Sequence, residues 1–179
     1  MSTSSLDNFI KQKKEVKKLL SQKLSFASRK PLLGIILDKE LSPEFEESLK
    51  NILEGTAHID VQVVILADTN LGAFSVPHTV ILPYSRNNRK IVLQAADIAL
   101  SFNFSDVEEM LLNGTIPVSP ARAEIADYNP NHETGNGFVY KNTDSWCMFA
   151  ALVRALETFK FPYDWNNIIR QGLETVLVR

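Results

Sequence analysis

Ala95-Ala96-Asp97-Ile98-Ala99-Leu100-Ser101 followed by Ser105-Asp106-Val107-Glu108, then Gly114 and Thr115-Ile116-Pro117-Val118-Ser119, is the stretch that decides the fold. The first run reads as a short buried strand. Ser105 and Asp106 read as a helix start, with Ser105 and Glu108 spaced as a capping box. Gly114 reads as the helix stop and residues 115–119 as the next strand. Both strands are nearly continuously apolar, as a parallel sheet covered on both faces requires. Sheets of this kind bind ligands beyond the carboxyl ends of their strands. Any small-molecule site is therefore expected near Asn103, Ser105 and Arg122.

Working outward, Leu32 to Leu37 is a strand apolar on both faces, and Val61 to Ala67 and Thr79 to Leu82 are two more. Ser42-Pro43-Glu44 marks a helix start by an N-cap, an N1 proline and an acid at the positive dipole end. Phe45, Leu49, Ile52 and Leu53 give that helix its inner face, and Gly55 is read as its end. A helix over Arg86 to Ala96 turns Ile91, Val92 and Ala95 inward. Beyond the turn-rich segment from Asn129 to Gly137, Phe138-Val139-Tyr140 is a last strand. Thr143 or Asp144 caps a helix whose Trp146, Phe149, Ala150, Val153 and Leu156 recur at helical spacing. A final helix runs from Asp164, with Trp165, Ile168, Ile169 and Leu173 inside. The order predicts a doubly wound α/β domain of about six parallel strands over residues 31–179.

Residues 1–30 read as a lead-in. Leu6 to Leu24 is an amphipathic helix with Phe9, Ile10, Val16, Leu19 and Leu20 on one stripe. Lys11, Lys13, Lys14, Lys17 and Lys18 crowd its remainder, which is expected to face solvent. A net charge of −2 argues against a nucleic-acid binder. No apolar run approaches the roughly 20 residues of a membrane span. The start Met1-Ser2-Thr3-Ser4-Ser5 lacks the apolar core of a secretory signal, and Cys147 is the single cysteine, so a cytoplasmic setting is expected.

No Gly-rich phosphate loop, nucleophile elbow or metal-ligand spacing is present, and His58, His78 and His132 are scattered. No cofactor is expected. What remains is a row of polar residues at strand exits: Asp38, Lys39, Asp68, Asn70, Tyr84, Ser85, Arg86, Asn103, Ser105 and Arg122. Helix N-termini aimed at the same edge would add an anion-friendly field. Asp38, Lys39, Tyr84, Arg86, Asn103, Ser105 and Arg122 are the candidate nucleotide cleft.

These segments together resemble the C-terminal, nucleotide-sugar-binding domain of the glycogen and starch synthases, which have the GT-B fold. Pro31-Leu32-Leu33-Gly34 resembles that domain's opening P-L-x-G, and Arg89-Lys90-Ile91 with Ala95-Ala96-Asp97 resembles H-R-I-x-A-G-A-D. Asn113 to Val118 resembles Y-G-T-x-P-V, and Gly135-Asn136-Gly137-Phe138 resembles A-T-G-F. The resemblance implies a donor site whose Arg and Lys neutralise a diphosphate. In this chain Asp38 stands at the Arg position and Pro43 at the Lys position, with Lys39 out of register. The E-P-x-G-L segment has no counterpart between Ser101 and Ser105, and Arg122-Ala123-Glu124-Ile125 replaces T-G-G-L. The resulting expectation is a degenerate, non-catalytic domain acting by binding or assembly, through self-association or an N-terminal-type glycosyltransferase partner chain. The alternatives are an ADP- or UDP-sugar-binding half of a split glycosyltransferase and a nucleotide-binding regulator.

Overall fold

The computed structural model describes residues 3–38, 42–67, 76–102 and 105–177. Among these residues six parallel strands form one sheet: β1 (Leu32–Leu37), β2 (Gln62–Ala67), β3 (Thr79–Pro83), β4 (Ile98–Leu100), β5 (Ile116–Pro120) and β6 (Phe138–Tyr140). Their spatial order is β3-β2-β1-β4-β5-β6. This is the doubly wound arrangement predicted from the apolar runs. The direction of winding reverses between β1 and β4, which pair from Leu33↔Ile98 to Ile35↔Leu100. Every residue of β1, β2 and β4 is buried.

Six helices stand among the described residues: α1 (Thr3–Lys23), α2 (Pro43–Thr56), α3 (Arg86–Ala95), α4 (Val107–Leu112), α5 (Ser145–Phe159) and α6 (Pro162–Leu177). Inner residues of α2, α5 and α6 join Leu33, Ile35, Val63 and Ile65 in one core. Those of α3 and α4 join Leu32, Ile36, Val64 and Leu66 in the other. Alternate residues of β1 and β2 thus feed opposite cores, the two-residue period of a strand.

Several helix boundaries and faces differ from the sequence reading. Ser42 occupies the N-cap of α2 but makes no side-chain cap bond. Helix α2 continues through Gly55 to Thr56. A Cβ at Gly55 would lie 2.7 Å from the Phe149 ring, so this glycine allows close approach of α5 rather than ending a helix. In α5 the Asp144 side chain accepts from the Cys147 N–H as the cap. The buried stripe, however, is Met148, Ala151, Leu152, Ala155 and Leu156, and Trp146 is 82% exposed.

The largest correction concerns α1. Its buried residues are Leu6, Ile10, Lys13, Lys17, Leu20 and Ser21, while Leu19 is 60% exposed. Two lysines expected in solvent thus lie on the inner face. Lys17 Nζ sits 2.6 Å from Asp97 Oδ2. The same carboxylate oxygen accepts the Leu32 N–H at 2.8 Å. Lys13 Nζ donates to the carbonyls of Gln94 (3.2 Å) and Asn113 (2.9 Å) and to Thr115 Oγ1 (2.9 Å). Gln94 lies in the last turn of α3 and Asn113 caps α4, so one ammonium satisfies the negative ends of two helices. The apolar period could not reveal this, because the partners lie 80 to 102 residues away.

Burial pushes Lys13 down from 10.5 to about 7, against the pull of Asp97. A folded pKa below the unfolded one means the unfolded chain binds more protons between those values. The Lys13 contribution to stability is therefore flat below about pH 7, rises from about 7 toward 10.5 and is flat above. Urea midpoints of wild type minus Lys13→Met, measured across that range, are expected to climb with pH. A difference constant from pH 7 to 10 would contradict the assignment.

Candidate functional site

At the switch point the carboxyl ends of β1 and β4 lead to Asp38 and to Ser101-Phe102. Helix α3 presents its N-terminus at the same edge. Ser85 caps it by accepting from the Asn88 N–H at 3.0 Å, and Arg86 and Arg89 lie in its first turn or just after. Of the seven candidate cleft residues, Lys39 and Asn103 lie outside the described residues, as do Asp68 and Asn70.

Among the described residues Asp38 is tied to the cleft through Arg89, a residue the cleft reading omitted. Arg89 Nη1 is 3.2 Å from Asp38 Oδ2, and its Nε and Nη2 stand 2.8 and 2.6 Å from Glu109 Oε2. Burial alone would lower the Arg89 pKa. The hydrogen bond and charge of Glu109, with Tyr84 adding to both effects, raise it instead. Tyr84 is half-buried and packs against the second core. Arg86 is exposed, and no partner for it stands among the described residues.

Ser105 and Arg122 are brought together, though not as a helix cap and a free cation. The Ser105 hydroxyl accepts from the Phe102 N–H at 2.8 Å. Asp106 is the true N-cap of α4, accepting from the Glu109 N–H at 3.0 Å. The capping-box reading therefore fails by one residue. Arg122 Nη1 donates to the Ser105 carbonyl at 2.7 Å, and its Nε lies 3.8 Å from Glu124 Oε2. Nearby, the Tyr140 hydroxyl donates to the Ser101 carbonyl at 2.8 Å. The buried Ser101 hydroxyl has no hydrogen-bond partner among the described residues.

The edge thus holds two guanidinium groups that are already engaged. Arg89 bridges two carboxylates, and Arg122 ties the β4 exit to the β5 exit. Chemically, a neutralised guanidinium offers little to an incoming diphosphate until its carboxylate partner is displaced. No group of three or more His, Cys, Asp or Glu is placed to hold a metal among the described residues. No described helix is long and apolar enough to cross a membrane.

No protein-family profile matches the chain. A glycogen synthase from Fervidobacterium nodosum is 25% identical over 93% of the chain. The chain spans only 38% of that relative's length. Among solved structures, a glycosyltransferase from Rickettsia africae superposes with a TM-score of 0.70 at 13% identity, covering 92% of this chain and 47% of its own. The Anabaena HepE protein in complex with UDP-glucose gives 0.66 at 13% identity, over 92% of this chain and 48% of its own. The C-terminal domain of a group 1 glycosyl transferase from Francisella tularensis gives 0.62 at 12% identity, over 83% of this chain and 85% of its own. The sequence motifs and the sheet order therefore agree: the chain resembles the C-terminal domain of glycogen synthase and has the fold of one half of a GT-B glycosyltransferase.

Proposed function

We propose that this GT-B half does not transfer sugar and acts through binding or assembly. One observation carries the reading. Where the resemblance places a diphosphate-binding arginine, Asp38 stands, and its carboxylate and Glu109 engage Arg89 instead. A charge-assisted bond to phosphate contributes roughly 1.5 to 3 kcal/mol. Losing two such bonds weakens binding by about 10² to 10⁴-fold. The lead-in, residues 1–30, belongs with the domain, since α1 supplies two lysines to its interior. Assembly would involve a second copy or a glycosyltransferase chain carrying the acceptor-binding half, and solution mass measurement distinguishes these from a monomer.

A second reading is a nucleotide-sugar-binding half of a split enzyme. It is favoured by the exposed Arg86 at the α3 N-terminus and by the UDP-glucose complex of the structurally similar HepE. Thermal shift with ADP, UDP, ADP-glucose and UDP-glucose separates the two. A ligand at 100 times its Kd adds about 2.7 kcal/mol, which for a chain of this size moves the midpoint by roughly 5 to 11 °C. The expected result is no shift of that size with any of the four. A shift with a sugar conjugate would overturn the non-transferring reading, and one with ADP alone would favour a nucleotide-binding regulator.

A further inference from the structure

A group of cations without ion-pair partners among the described residues lies at the opposite edge of the sheet from the expected cleft. Asp97 immediately precedes β4 and binds the first N–H of β1, so it marks the amino edge. At about 3.3 Å per residue, the six residues of β1 separate the two edges by roughly 20 Å. Over Asp97 opens a cavity of about 370 Å³ between α1, α6 and the approach to β1. Its wall holds five cationic residues and one acid, in a chain whose net charge is −2.

These cations divide into two sets. Lys13 and Lys17 are buried and already bonded inside the fold. Lys14, Lys18 and Arg29 are exposed at the rim, and none has an ion-pair partner among the described residues. The floor is different in kind. Ile10, Ile169, Phe159 and Trp165 line it, the two rings meeting edge to face at 5.2 Å. Lys17 Nζ lies 5.2 Å from the Phe159 centroid, so the aromatic floor already faces a cation.

An apolar floor under a ring of unpaired cations fits one molecule with an anionic head and an uncharged body. The volume lies in the range of small-ligand sites. A bare inorganic anion would leave the floor unused. A polyanion would meet the net negative charge of the rest of the chain. Three exposed cations lining one cavity suit a dianion better than a single carboxylate.

We propose that this cavity binds a small organic phosphate, its head held by Lys14, Lys18 and Arg29 and its ring-sized body against Phe159 and Trp165. The bound head joins α1 to the segment entering β1. The site is independent of the carboxyl-edge reading above.

Calorimetric titration of the full chain at low ionic strength with AMP and with 1-naphthyl phosphate tests it. Adenosine, 1-naphthol and inorganic phosphate serve as separated halves. At least one organic phosphate is expected to saturate below about 1 mM, with each separated half about 10-fold weaker or worse. The Lys14→Ala/Lys18→Ala/Arg29→Ala variant alters exposed side chains only. It is expected to keep the wild-type thermal midpoint within a few degrees and to lose affinity on the order of 10²-fold. Lys11→Ala/Lys23→Ala/Lys50→Ala removes the same charge elsewhere and is expected to bind like wild type. Absence of binding by both phosphates, or equal loss in both triple variants, would overturn the site. Binding that survives the rim variant would overturn it too. Nucleotide-sugar binding that survives the rim variant would instead overturn the non-transferring reading and leave this cavity untouched.

Discussion

Asp97→Ala is expected to destabilise the fold by about 3 to 5 kcal/mol, the usual cost of removing one partner from a buried ion pair. The reason lies in what the carboxylate holds. It faces the Lys17 ammonium at 2.6 Å and accepts the first N–H of β1 at 2.8 Å. It also supports the charged form of Lys13. Its removal leaves Lys17 buried without a counter-charge and orphans a backbone donor. For a chain of this length the thermal midpoint should fall by roughly 6 to 20 °C. Asp97→Asn keeps an acceptor for the Leu32 N–H and should fall between. Lys17→Met/Asp97→Leu replaces the pair by apolar groups and should recover the part of the loss due to the unpaired lysine, while the orphaned Leu32 N–H remains. Because the charged form of Lys13 then lacks its nearest anion, the loss should be smaller at pH 10 than at pH 6. A loss under about 1 kcal/mol at pH 7 would show that water reaches the pair and screens it.

Gly135→Ala is the second large effect, expected at about 3 kcal/mol or more from backbone strain and overpacking together. Gly135 has φ +120°, which L side chains rarely adopt. A Cβ there would lie 2.5 Å from Tyr128 Cα and 2.7 Å from the Asp127 carbonyl oxygen, contacts that no rotamer change relieves. The residue also anchors its loop, its N–H donating to Gln171 Oε1 of α6 at 2.9 Å. Next to it the buried Asn136 accepts the Ala126 N–H and donates to the Glu124 carbonyl and Thr175 Oγ1. The expected readout is a lower urea midpoint with an unchanged denaturant slope. The Gln171→Ala variant, which removes only the tether, should cost about 1 kcal/mol. Equal losses from the two would place the effect in the tether rather than in the backbone.

The contrast between these sites and the cleft shows where reading the chain succeeded. The strands were legible because β1 and β2 are buried on both faces, and continuous apolar runs have few other folded uses. The α6 face was legible because Trp165, Ile168, Ile169 and Leu173 keep the helical period. Helix α1 was not, because its inner face carries Lys13 and Lys17, and apolar periodicity counts lysine as outward. Helix α5 was misread because Trp146 was counted by its hydrophobicity, although the turn after the Asp144 cap points it to solvent. At the carboxyl edge, Asp38 was read as standing where the resemblance implies an arginine. Its pairing with Arg89, and that of Arg89 with Glu109, was not legible across 51 and 20 residues.

By itself the sequence determined the layer architecture and the parallel sheet. Hydrophobic burial depends on which residues are apolar and how often they recur, and both are properties of the chain order. Only the tertiary structure decided which charges are spent inside the fold and which stay open. Asp97 engages one lysine of α1, two helix ends hold another, and Asp38 and Glu109 hold Arg89, while Lys14, Lys18 and Arg29 have no ion-pair partner among the described residues. Electrostatic pairing depends on distances between residues far apart in sequence, and only the folded chain fixes those distances.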